Sequence, residues 1–240
     1  MACFPLVPYA NRIAAACFRW GGQRHPLQRN FGDHPHSLHG VGWRRAWTVR
    51  AAHENAAILT LTHDEPGADW PFAFEAEQHF MLDRDRLRIA LRVVNRHSGP
   101  APVGLGWHPF FPRTAKASLR FRAASVWRTD ATALAVEQGP IPPGWDHAGG
   151  QPVGTRALDH CFSDWDGTAM LNLGALRLHL QADAIFSHLQ VFTPPGQSFF
   201  CVEPVTHRPD AINDPTGSGM RSLQPGEALE GTMSMQIAEA

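Results

Sequence analysis

Three short stretches of this chain set acid/base side chains beside proline or glycine. Residues 30–43 hold His34, His36 and His39 together with Pro35, Gly40 and Gly42. Residues 104–111 hold Trp107, His108 and Pro109, and residues 201–213 hold Glu203, Pro204, His207, Arg208, Pro209 and Asp210. A carboxylate and an imidazole suffice to take a proton from one oxygen and give one to another. Phe199, Cys201 and Glu203 alternate, so on a strand they share a face and Glu203 points into a surface otherwise lined by apolar groups. A carboxyl in that setting has a raised pKa unless a histidine or arginine partners it. Plainer readings stand beside these: Glu203 as a salt-bridge residue at a sheet rim, His108 as a buried histidine bonded to backbone. A proline cannot donate to a sheet ladder, so Pro109 and Pro204 predict that His108 and Glu203 sit where their strands leave the sheet.

The cluster His34, His36, His39 raises a metal reading, since His-x-His puts two imidazoles on one face of a strand. No further glutamate and histidine stand in a fitting motif, and two histidines flanking a proline read more simply as loop residues. The expectation is no metal. Trp43 and Trp107 lie inside the acid/base stretches and are candidates for stacking on a sugar ring, while most of the eight tryptophans belong to the core. Nucleotide binding lacks support, because neither a Gly-x-x-x-x-Gly-Lys-Ser/Thr loop nor a Gly-x-Gly-x-x-Gly turn is present. A Gly-x-Ser-x-Gly nucleophile elbow is also missing.

What must position these residues is mostly strand. Phe72, Phe74, Ala76 and Phe80 alternate with Glu75, Glu77 and His79, and Leu87, Ile89, Leu91 and Val93 with Arg88, Ala90 and Arg92. Leu119 and Phe121, and Leu176, Leu178 and Leu180, repeat the pattern; residues 57–62, 185–193, 198–203 and 232–237 are further strand candidates. Half-buried strands in succession, without helical spacing between them, predict a sandwich of antiparallel sheets. Residues 137–155, rich in Gly and Pro, read as one long loop. The 240 residues carry 21 Lys plus Arg against 22 Asp plus Glu, which disfavours a nucleic-acid partner that needs a basic face. With 43% hydrophobic residues the chain has material for a sizeable core, and no internal repeat divides it. Cys3, Cys17, Cys161 and Cys201 form no Cys-x-x-Cys pair and read as reduced core residues. No basic stretch precedes an apolar signal core and no run approaches membrane-spanning length, so the expected compartment is the cytoplasm.

Taken in order, the stretches resemble the aldose 1-epimerase (galactose mutarotase) family. Pro8-Tyr9-Ala10-Asn11-Arg12-Ile13 is similar to its Pro-x-x-Asn-Arg-Ile stretch, followed by Leu38-His39-Gly40 with Gly42-Trp43 and by Gly106-Trp107-His108-Pro109-Phe110-Phe111. Leu158-Asp159-His160-Cys161-Phe162 matches its Leu-Asp-x-x-Phe segment, and Glu203-Pro204-Val205-Thr206 with Pro209-Asp210-Ala211-Ile212-Asn213 closes the series. The His-Gly-x-Gly-Trp form resembles a bacterial branch of unassigned sugar. The resemblance implies an all-β antiparallel β-supersandwich with few or no helices, spanning residues 1–240 as a single domain. It implies Glu203 as general base and His108 as general acid, with His39, Arg12 and Asp159 holding sugar hydroxyls, and no cofactor.

The implied substrate is a small-molecule aldose; a sugar phosphate would need a further cation, for which Arg44, Arg45 and Arg113 are available, and a non-catalytic carbohydrate-binding domain is the alternative from another class. Family members carry several strands before the Pro-x-x-Asn-Arg stretch, which begins here at Pro8. That start predicts uncovered sheet edges and, through them, self-association into a homo-oligomer.

Overall fold

A computed structural model describes residues 2–154, 156–214 and 220–238. Among them there is no α-helix, and three single-turn 3-10 segments interrupt an otherwise all-strand chain. Two large antiparallel sheets face each other. The first, which carries the candidate site, has seven strands in the order Cys3–Leu6, Gly106–Pro112, Phe199–Val205, His188–Phe192, Asp159–Ser163, Ser125–Thr129, Ala135–Gly139. The second has nine, with Ala228–Ala238, Arg86–Asn95 and Phe74–Asp83 at its centre. This is the sandwich of antiparallel sheets that the alternation predicts, and the supersandwich that the resemblance implies.

Period two decides which side chains go where. On the Glu203 strand, Phe200 and Val202 point to the second sheet, and so do Leu189 and Val191 on the next strand; all four are fully buried. They meet Leu91, Val93, Leu119, Phe121, Leu171, Leu180 and Met233 from the facing sheet in one continuous core. The opposite face of the site sheet carries Phe4, Leu6, His108, Phe110, Cys201 and Glu203. The segment from Val7 to Gly42 folds over this second face, pinned by a ribbon in which Arg12 pairs with Leu38 and Ile13 with Ser37.

Two expectations need correction. Pro109 and Pro204 do not end their strands: both lie inside strands that are themselves interior to the site sheet. Gly106 pairs with Val205 and Phe110 with Cys201, which brings His108 and Glu203 opposite each other midway between. The prolines take N–H donors out of the backbone there, and the ladder opens locally instead of stopping. Residues 137–155 are not one loop, because Ala135–Gly139 forms an edge of the site sheet and Gln151–Pro152 an edge of the second; Thr155 lies outside the described residues. The chain's start also has a structural use. Cys3–Leu6 pairs with the His108 strand and sets Phe4 directly beside His108. Among the described residues, no helix is long and apolar enough to cross a membrane.

Candidate active site

Two cross-strand rows build the floor of a cavity of about 290 Å³, at the small end of ligand pockets. One row runs Phe4, His108, Glu203, Gln190, Cys161 across five adjacent strands. The next runs Phe110, Cys201, Phe192, Asp159. The overlying segment adds Asn11, Arg12, Leu38, His39 and Trp43.

The polar side is a chain of hydrogen bonds. Asn11 N–H donates to His39 Nδ1 at 3.1 Å, and His39 N–H donates back to the Asn11 carbonyl at 2.8 Å. Accepting at Nδ1 leaves neutral His39 with its proton on Nε2. Asn11 Oδ1 accepts from Arg12 at 3.0 Å, Arg12 donates to Asp159 Oδ2 at 2.9 Å, and Gln190 donates to Asp159 Oδ1 at 2.6 Å. Both Asn11 and His39 take left-handed φ angles of about 60° (59° and 60°), and this reciprocal clasp holds them there. Gly40 follows, with φ 68° and a missing Cβ that would stand 2.4 Å from the Val7 carbonyl oxygen, so no other residue fits.

The third acid/base stretch supports this segment from below. Asp210 Oδ1 accepts from Ala14 N–H at 2.9 Å, and His207 Nε2 from Ala10 N–H at 3.3 Å.

His108 Nε2 lies 3.4 Å from Glu203 Oε1. Glu203 is 2% exposed. Burial pushes its carboxyl well above the usual carboxylate range; the Asp159 carboxylate adds to the shift and the Arg12 guanidinium opposes it. Burial holds the His108 imidazole down to about 4. Both effects favour uncharged partners, so the two groups do not hold each other charged as a simple ion pair would. A protonated carboxyl beside a neutral imidazole holds the same one proton as a carboxylate beside an imidazolium. His39 lies well below its ordinary value, through burial and then the neighbouring His108 and Arg12. Buried polar atoms without partners gather around the same space: Glu203 Oε2, His108 Nδ1, Gln190 Oε1 and Arg12 Nε. Such atoms mark where a ligand's hydroxyls would bind.

Glu203, His108, His39, Arg12, Asp159 and Trp43 therefore converge on one cavity. Trp107 does not. Adjacent residues on a strand point to opposite faces, and since His108 faces the cavity, Trp107 faces the core, fully buried and edge-on to Phe80. Its placement beside a catalytic candidate in sequence is what excludes it. His34 and His36 are 5.2 Å apart between ring centroids, but His36 has both nitrogens engaged, by Ala15 N–H and by Thr132 Oγ1. Sequence reasoning missed Asn11 and Gln190 as site residues. A polar Gln190 within the apolar run 189–192 was the available signal.

The rest of the lining is aromatic. Phe110 stacks on His108 at 4.7 Å and 9°, and Phe4, Phe31, Trp43, Phe192 and Phe199 continue the wall.

Comparisons with known proteins bear on the family and the fold. The chain is 28% identical over 254 aligned positions to the uncharacterized Escherichia coli K12 protein YphB, covering 98% of this chain and 83% of that one. The crystal structure of a candidate aldose 1-epimerase from Escherichia coli K12 superposes with a TM-score of 0.92 at 28% identity, covering 99% and 84% of the two chains. A galactose mutarotase-like protein from Clostridium acetobutylicum shares the fold with a TM-score of 0.85 at 20% identity, over 100% of this chain and 80% of its own. The model of the aldose 1-epimerase family matches residues 1–236, and the chain belongs to that family.

Proposed function

We propose that the protein is a mutarotase that interconverts the α and β anomers of an aldose through its open-chain form, with Glu203 and His108 moving the protons. The observation that carries this reading is the facing His108–Glu203 pair, 3.4 Å apart, with the carboxyl buried. A pure binding module has no need of a matched acid and base.

In the ring-opening step Glu203, as carboxylate, takes the proton of the anomeric hydroxyl while His108, as imidazolium, gives one to the ring oxygen. The C1–O5 bond breaks as the C1 carbonyl forms. The pair is left as carboxylic acid and neutral imidazole, with its proton count unchanged. Rotation about C1–C2 and the reverse transfers close the other anomer. Carbon keeps its oxidation state, so the reaction calls for no redox cofactor. Acid/base catalysis of this kind contributes typically ~10²–10⁴-fold.

Arg12, Asp159, Gln190 and His39 Nε2–H offer donors and acceptors to the ring hydroxyls, and the aromatic wall suits the C–H face of a pyranose. A phosphorylated sugar is less well served. Arg44 is bound to the Asn30 carbonyl, Arg45 to Asp69 and Arg113 to the Pro194 carbonyl, and none of them lines the cavity. The cavity's one lining arginine among the described residues, Arg12, is already matched by Asp159. The direct test is polarimetry of freshly dissolved single-anomer aldoses with and without the protein. Acceleration for none of a panel of hexoses and pentoses would replace the enzyme with the binding-module alternative.

A further inference from the structure

We propose that the floor of this pocket also binds a borderline-soft divalent cation of the Zn²⁺ type through His108, Cys201 and Glu203, and that the bound cation switches off the acid/base pair. Proton transfer as described above leaves Cys201 unused. Cys201 lies two residues before Glu203 on the same strand and the same face, fully buried beneath the lining.

One imidazole nitrogen, the Cys201 sulfur and one Glu203 carboxylate oxygen lie within 4.8 Å of one another. Tetrahedral zinc, with bonds of about 2.0–2.3 Å, wants its donors about 3.3–3.8 Å apart. His108 and Glu203 already satisfy this at 3.4 Å, and a side-chain rotation of an ångström or less brings the sulfur in. A second observation points to a ligand here: the carboxylate of Glu203, nine-tenths and more buried, has its Oε2 without a partner. Among the described residues this is the group of histidine, cysteine and acidic side chains close enough to hold an ion; it includes none of His34, His36 and His39, although the His39 ring stands 5.2 Å from that of His108.

The donor set is selective. Thiolate and imidazole favour Zn²⁺ and its soft congeners over Mg²⁺ and Ca²⁺, which want oxygen. Three protein donors leave the fourth position facing the cavity, where a water or a sugar hydroxyl completes the shell. On binding, the Cys201 S–H bond breaks, its proton leaves to solvent and an S–metal bond forms without change of oxidation state. A cation there uses the lone pairs with which Glu203 accepts a proton and His108 carries one, so turnover stops while the cation stays. The coordination stands on geometry alone, and its inhibitory consequence rests on the mutarotase reading.

Cadmium is the probe, because a Cd²⁺–thiolate bond absorbs in the ultraviolet. The chelator-stripped full chain should take up about one equivalent of Cd²⁺ with appearance of that band. Cys201→Ser and Cys201→Ala should lose the band and bind at least ~100-fold more weakly, given that even outer-shell changes cost 10–100-fold, while Cys17→Ser should keep it. In polarimetry Zn²⁺ should inhibit, EDTA should restore the rate, and whatever turnover each Cys201 variant retains should resist the metal. A wild-type chain without the band, or Cys201 variants that keep both band and affinity, would overturn the proposal. A band that follows Cys201 in a protein accelerating no aldose would leave the metal site standing and remove the mutarotase reading.

Discussion

His108 is the residue at which activity and stability can be separated in a single variant, His108→Asn. The imidazole is held neutral by burial, its pKa lowered from 6.5 to about 4. The unfolded chain binds a proton at this residue below pH 6.5, and the folded chain does so only below about 4. The folded state therefore keeps its full stability above 6.5 and loses it as the pH falls toward 4. At 1.36 kcal/mol per pH unit, the fall from 6.5 to about 4 amounts to roughly 3 kcal/mol in all, more than half of it gone by pH 5. Asparagine does not titrate, so this segment of the pH dependence should disappear from the variant. Urea unfolding followed by tryptophan fluorescence at half-unit steps from pH 7.5 to 4 gives the two curves; His188 and His207, also buried and held down to about 4 and about 3, contribute equally to both and cancel in the difference. In the same preparations polarimetric turnover should fall by ~10²-fold or more, since the acid for the ring oxygen is gone. Parallel stability curves between pH 6.5 and 4 would refute the placement of a neutral buried imidazole here, and a near-normal anomerisation rate would refute its role.

Glu203→Gln should lower turnover by ~10²-fold or more while sugar binding, read by calorimetry, survives. Because the folded carboxyl titrates above its ordinary 4.5, it costs the wild type stability as pH rises through that range, so the variant should gain relative stability progressively above pH 4.5. The pair works while it holds one proton, and the alkaline limb of the rate profile should report loss of that proton. Asp159→Asn removes a charge that raises the Glu203 pKa and should move that limb to lower pH, whereas Arg12→Met should move it to higher pH; limbs that stay fixed in both variants would break the link. Trp107→Ala should cost about 3–5 kcal/mol of stability as a core deletion and leave KM unchanged at permissive temperature, while Trp43→Ala should raise KM with little loss of stability.

The fold was legible because period-two alternation is a local signal: Leu87, Ile89, Leu91 and Val93 must share a face, whatever else the chain does. The site was legible in composition but less so in geometry. Glu203 and His108 stand 95 positions apart in sequence, and nothing local says that their strands are neighbours, in register, with the two residues opposed. The prolines misled for a related reason. Pro109 and Pro204 are breakers by local rule, yet flanking pairs on both sides keep the strands joined while the ladder opens at the site. Asn11 stood inside a quoted motif without a role, because its use depends on His39 reaching back to its N–H. Trp107 could have been excluded from sequence by applying to residues 107 and 108 the alternation already used for 199, 201 and 203.

The same burial that depresses His108 and raises Glu203 bears on the reaction coordinate. At the start of ring opening the pair must be carboxylate and imidazolium, two charges on a floor where Glu203 is 2% exposed and Phe110 covers the imidazole face at 4.7 Å. At the open-chain stage both are neutral. Proton transfer to and from the sugar thus relieves a desolvation cost carried by the charged, reactive form of the pair, and the same cost lowers the share of the empty site that stands in that form. Arg12 moderates the effect, since its charge lowers the Glu203 pKa and keeps the carboxylate within reach. Held to Asp159 on one side and to Asn11 on the other, it can do so without moving as the sugar turns over. A wholly apolar pocket would leave Glu203 protonated and unable to act as base, and a wet one would remove the relief. The structure lies between these limits, with a charged pair, Arg12 and Asp159, beside a neutral one.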